Sequence, residues 1–71
     1  MKFDYSKLRG RIVERNGSIS QFCHSNNLSV QNFSAKLNNR AKFSIEDAIN
    51  VSKALEIPQE NVADYFFVEK V

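Results

Sequence analysis

Residues 18–37 read SISQFCHSNNLSVQNFSAKL, two short amphipathic patterns parted by a turn of three or four residues, each opening on a serine. No other feature constrains the chain as much, because two short helices joined by so tight a turn must share one small core. Ser18, with Gln21 three residues on, has the capping-box arrangement that satisfies free amide donors at a helix start. Ile19, Phe22 and Cys23 fall on one face of the helix begun there. Asn26-Asn27-Leu28 supplies the turn, since Asn tolerates the left-handed conformation that stops a helix, and Leu28 is expected to plug the core beneath it. Ser29 caps the second pattern, whose Val30, Phe33 and Leu37 recur at helical spacing.

Gln31, Asn32, Ala35 and Lys36 are left on the other face of the second helix. A helix-turn-helix lays its second helix in the major groove, with the first turn against base edges and the first helix across the backbone. The candidate base-contacting set is therefore Val30, Gln31, Asn32, Ala35 and Lys36. The amides of Gln31 and Asn32 can match the N6 and N7 edge of adenine, and Val30 can meet a thymine methyl. The same side chains would also serve as a merely solvated helix face.

Charge is distributed unevenly. From Arg15 to Ile45 there is no Asp or Glu, while Arg15, Lys36, Arg40 and Lys42 are present. Beyond Ile45 the balance reverses, with Glu46, Asp47, Glu56, Glu60, Asp64 and Glu69 against Lys53 and Lys70. The net charge of +2 thus conceals a basic face and an acidic back, and a basic face is what a phosphate backbone requires. A solvated charge run would leave the same pattern. Candidate phosphate contacts are Ser18, Gln21 and His24 on the first helix, then Asn38, Asn39, Arg40, Lys42 and Ser44 after the second. For Ser44 the simpler role is capping a further helix, with Asp47 three residues on. His24 faces solvent or a phosphate.

The 71 residues leave room for one domain with little core to spare, which favours helices with local contacts. An opening helix is expected after Asp4 as cap, burying Leu8, Ile12 and Val13 and stopping at Asn16-Gly17. A fourth runs from about Ile45 to Glu56, burying Ile45, Ala48, Ile49 and Leu55. Pro58 then breaks the chain, and a short fifth helix passes through Val62 and Tyr65. The expected fold class is all-α, a compact bundle of about five short helices, with no repeat and no linker.

These motifs together resemble the small helix-turn-helix domain of the phage repressor and Cro family, also called the Cro/C1-type or XRE family. The chain is similar in particular to short repressor-like proteins of phages and prophages of Gram-positive bacteria. The resemblance runs from YSKLRGRI through GSISQFCHSNNLSVQNFSAKLNNR and FSIEDAINVSKALEI to PQENVADYFF. Cys23 stands where the family usually has Ala in the first motif helix, and Asn27 where it has the turn Gly. The resemblance implies a lambda-repressor-like bundle that binds a double-stranded DNA operator and regulates transcription as a repressor or Cro-like protein. It puts the base-contacting positions at Val30, Gln31 and Asn32, where Val is less usual than an amide.

The ending DYFFVEKV gathers Tyr65, Phe66, Phe67, Val68 and Val71, more apolar surface than one small helix end needs. Phe66 and one neighbour can complete the core, and the stretch is compatible with a short extended strand. Tyr65, Phe66, Phe67 and Val68 are the candidate dimer contact, because a palindromic operator is read by two copies. The rival is a protein-interaction module that binds a partner repressor or toxin through this aromatic patch. Catalysis has little to stand on: Cys23 and His24 are adjacent, so on a helix they diverge by about 100° and cannot work as nucleophile and base. One Cys and one His make no zinc set, and no glycine-rich loop awaits a nucleotide. Neither a cofactor nor a small-molecule ligand is expected. No apolar run approaches the ~20 residues of a membrane span, and the opening Lys2-Phe3-Asp4 is no signal peptide. The expected setting is the cytoplasm of a bacterial host cell, whether the chain is whole or an excised domain.

Overall fold

Three serines start three helices by the same local chemistry. The hydroxyls of Ser18, Ser29 and Ser44 accept from the backbone N–H three residues on, at Gln21 (3.1 Å), Asn32 (3.3 Å) and Asp47 (2.9 Å). Ser44 alone completes a reciprocal box, with its own N–H donating to the Asp47 carboxylate at 3.0 Å. The computed structural model describes residues 2–70, so Val71 of the apolar ending lies outside it. The helices are α1 (Ser6–Asn16), α2 (Ile19–Ser25), α3 (Val30–Leu37), α4 (Ile45–Ala54) and α5 (Val62–Phe66), with one 3₁₀ turn at Gln59–Asn61. The all-α bundle of five short helices is as expected.

The helix ends share a mechanism that is less visible in the sequence. Asn27, Asn39 and Glu56 all take positive φ, at 56°, 61° and 56°. In each case the next residue donates back to the carbonyl five before it: Leu28 to Cys23, Arg40 to Ala35 and Ile57 to Ser52, at 2.8–2.9 Å. These Schellman closures satisfy carbonyls that a helix end would leave orphaned. Glu56 tolerates a conformation unusual for its type because it is pinned from outside. Arg11 donates to the carbonyls of Leu55 (3.1 Å) and Glu56 (3.2 Å), and Arg15 pairs with the Glu56 carboxylate. Cations thereby cover the negative end of α4. At the end of α1 the turn requires Gly17, at φ 88°, where a Cβ would come within 2.6 Å of Gln21 Oε1.

The core is one cluster drawn from every helix: Tyr5, Leu8 and Ile12; Phe22 and Cys23; Phe33 and Leu37; Ala48, Val51, Leu55 and Ile57; and Phe66. Phe43 is the hub of its aromatic part, meeting Tyr5, Phe33 and Phe66 edge-on at centroid distances of 5.2–5.6 Å. It stands in a loop with Arg40 and Lys42, whose polar and basic character gives no sign of this role. Val13, Ile45 and Ile49, expected inside, are exposed. Val13 lies 100° round the helix from Ile12, off the stripe that Tyr5, Leu8 and Ile12 define. In α4 two apolar stripes compete, and the one through Ala48, Val51 and Leu55 faces the core. Leu28 also sits farther out than expected, on the rim of a cavity of about 300 Å³ between the α2–α3 turn and α4. Asp4 does not occupy the cap position of α1, which is Tyr5. Its carboxylate instead accepts from Ser6 N–H at 2.9 Å, and bonds from Ser6 hold it below the usual carboxylate range.

The ending is extended after Phe66 and runs antiparallel to the first residues. Asp4 N–H donates to Val68 and Lys70 N–H to Lys2, both at 2.7 Å, around a bridge between Phe3 and Glu69. Among the described residues no helix is long and apolar enough to cross a membrane.

Candidate nucleic-acid interface

Phe33 and Leu37 anchor α3 in the core, so helical spacing turns Gln31 and Ala35 to the opposite side. Val30, Gln31 and Asn32 are all exposed in its first turn, and Ala35 is half-buried. On α2, Gln21 and His24 are exposed, while the Ser18 hydroxyl is held by its cap. The turn therefore presents two amides and a small apolar side chain along one ridge, with hydrogen-bonding groups at the start of the neighbouring helix. Nothing charged stands among the first three residues of α3.

Two cations of the acid-free run are neutralised inside the fold. Lys36, expected among the base contacts, is drawn away from the ridge: its ammonium donates to Asp47 Oδ2 at 2.9 Å and lies 5.9 Å from the centre of the Phe43 ring. Arg15 is turned to Glu56. Arg40 and Lys42 are exposed and join no ion pair among the described residues. They are the free positive charge of this surface.

The two asparagines after α3 are bound differently from what their position suggests. Asn39 is a candidate phosphate contact by position, but its side chain is occupied: Oδ1 accepts from Phe3 N–H and Nδ2 donates to Phe3 C=O, both at 2.9 Å. Asn38 Oδ1 accepts from Arg9 Nη2 at 2.8 Å, which brings a guanidinium from α1 to the exit of α3. Arg9 joins the candidate set only in the structure, since its partner is 29 residues away and no local pattern in the sequence marks it. Ser44 is held in its capping box.

Of the candidate dimer contacts, Phe66 is only 1% exposed and belongs to the core, which corrects its assignment to a surface. Phe67 and Val68 remain exposed and Tyr65 is half-buried, with the Lys7 ammonium 4.9 Å above its ring. Cys23 is buried and its thiol is pushed up by desolvation, the state of an inert core residue.

The Asp47 carboxyl is held below its ordinary range, first by the bond from Lys36 and then by the backbone N–H of Ser44. A lowered folded pKa adds stability above the unfolded carboxylate value of about 3.9, and that stability is lost as pH falls through the folded value. Asp47→Asn should therefore cost about 1 kcal/mol or less at pH 7, as suits a part-exposed pair. Urea titrations of both proteins should converge on acidification below about pH 4; a difference that persisted there would deny the carboxylate this role.

No curated protein matches the chain. Residues 1–69 match the family described as "Protein of unknown function (DUF739)", and the chain belongs to that family.

Proposed function

We propose that the protein binds double-stranded DNA in a sequence-specific way and regulates transcription, as a repressor or Cro-like protein at a phage or prophage operator. One observation carries the reading: the first turn of α3 exposes Val30, Gln31 and Asn32 with no charged side chain among them, and Arg40 and Lys42, exposed and in no ion pair among the described residues, follow the other end of the helix. Gln31 and Asn32 read base edges, and Arg40 and Lys42 hold phosphates and set register. Lys36 is kept by Asp47 from adding an indiscriminate charge to the ridge. Two copies read a palindrome with half-sites about one helical turn apart.

The rival reading, a module that binds a partner repressor or toxin, is favoured by exposed Phe67 and Val68. Selection from a random double-stranded DNA library at near-physiological salt separates the two. An enriched palindrome supports a dimeric reader; salt-sensitive retention without enrichment supports the rival. Gln31→Ala should then relax preference at one base position, by roughly 1–3 kcal/mol of discrimination. Lys42→Ala should weaken all sequences alike and lower the salt slope by about one. Equal effects of both variants on every sequence would remove Gln31 from the reading role.

A further inference from the structure

One side of α4 leaves two isoleucines open to solvent among the described residues. Ile45 is 75% exposed and Ile49 47%, and at 100° per residue they form one stripe flanked by Glu46 and Lys53 on one side and Ser52 on the other. Toward its C-terminal end the stripe borders an apolar groove of about 290 Å³, lined by Ile49, Ser52, Lys53, Ile57, Gln59 and Val62. We propose that this face binds a second copy of the chain, the two α4 helices packing antiparallel about a two-fold axis.

Charge identifies the occupant. Glu46 and Lys53 share a flank and stand seven residues apart, about 10.5 Å along the helix. Neither joins an ion pair among the described residues. A two-fold axis passing midway between Ile49 and Asn50 sets Glu46 of each copy against Lys53 of the other. Rotation about that axis keeps each flank on its own side, so both pairs form together. The same operation brings Ile45 of each copy over the groove beside Ser52 of the other, with Ile49 near the axis. A parallel pairing would carry the two charged flanks to opposite sides of the seam and leave both pairs unmade. A uniformly basic or acidic helix from another protein would satisfy only one charge of the pair. The inference uses α4 alone and does not rest on the DNA-binding reading.

The test is sedimentation velocity of the full chain over a concentration series at low salt, with circular dichroism to verify that each variant is folded. The parent should show a monomer–dimer equilibrium. Glu46→Lys and Lys53→Glu should each raise Kd roughly tenfold, because two exposed pairs become two like-charge contacts. Combining them should return Kd to within about threefold of the parent. An equimolar mixture of the two single variants should associate at least as tightly as the parent. Ile49→Asp, at an exposed position, should give a folded monomer. A parent that stays monomeric throughout overturns the proposal, as does a dimer indifferent to Ile49→Asp or one abolished by Phe67→Asp instead.

Discussion

Phe66→Ala is expected to remove about half of the protein's folding stability, whereas Phe67→Ala, one residue on, removes little. Phe66 is 1% exposed and meets Phe43 edge-on, with centroids 5.2 Å apart and planes at 86°. Removing a buried phenyl ring forfeits its transfer free energy and leaves a cavity, together about 3–5 kcal/mol. A domain of this size holds only about 4–10 kcal/mol in all. The loss is compounded because Phe43 also braces Tyr5 and Phe33, so a gap beside it loosens the seats of α1 and α3 at once. Phe67 is half-exposed and touches Phe3 and Phe66 at 6.1 and 6.4 Å between centroids; its truncation should cost about 1 kcal/mol or less. Urea unfolding followed by circular dichroism decides the matter. Comparable losses at the two positions would mean that the ring of Phe66 is not the one completing the core.

That contrast marks where the sequence stops being legible. Helix starts could be read because a serine and the amide it caps are three residues apart, and the turn at Asn27 because the residue type itself permits positive φ. What could not be read depends on partners far along the chain. Ile45 and Ile49 spell as good a stripe as Ala48 and Val51, and only packing against the rest of the bundle, with Asp47 facing Lys36 of α3, decides how α4 is rotated. Lys36 and Arg15 look like free cations until the fold brings Asp47 and Glu56 to them, 11 and 41 residues away. Phe43 looks like a stray aromatic in a basic loop until helices on three sides close over it. In the candidate site, exposure of Gln31 and Asn32 followed from the spacing of Phe33 and Leu37, which is local, whereas Val30 shares their stripe and is exposed only because it stands at the end of the helix. The occupation of Asn39 and the arrival of Arg9 did not, because both require knowing that α1 and the first residues cross the exit of α3.

Asn39 carries the second large effect, and two substitutions divide it into its causes. Its backbone stands at φ 61°, and its amide grips both polar groups of Phe3 at 2.9 Å. On the far edge of the same short segment, the ending pairs through Asp4 to Val68 and Lys70 to Lys2. The side chain thus acts as a third strand, tying both ends of the chain to the last turn of α3. Asn39→Gly keeps the left-handed conformation without strain and removes only the two hydrogen bonds, at a cost of about 1–3 kcal/mol. Asn39→Ala removes the same bonds and also holds in that conformation a side chain without the polar group that eases asparagine into it, adding roughly 1 kcal/mol. The order of stability should be parent, glycine variant, alanine variant. In both variants amide exchange should quicken at Phe3, Asp4 and Lys70 well before it does in α2, because the bonds lost are those that hold the two ends together. If α3 reads DNA as proposed, the glycine variant should lose affinity evenly across sequences and keep its base preferences, since Gln31 and Asn32 are untouched while the far end of their helix is loosened. Exchange that quickened equally throughout would mean that Asn39 supports the whole fold rather than this junction. An alanine variant no weaker than the glycine one would deny the contribution of its backbone.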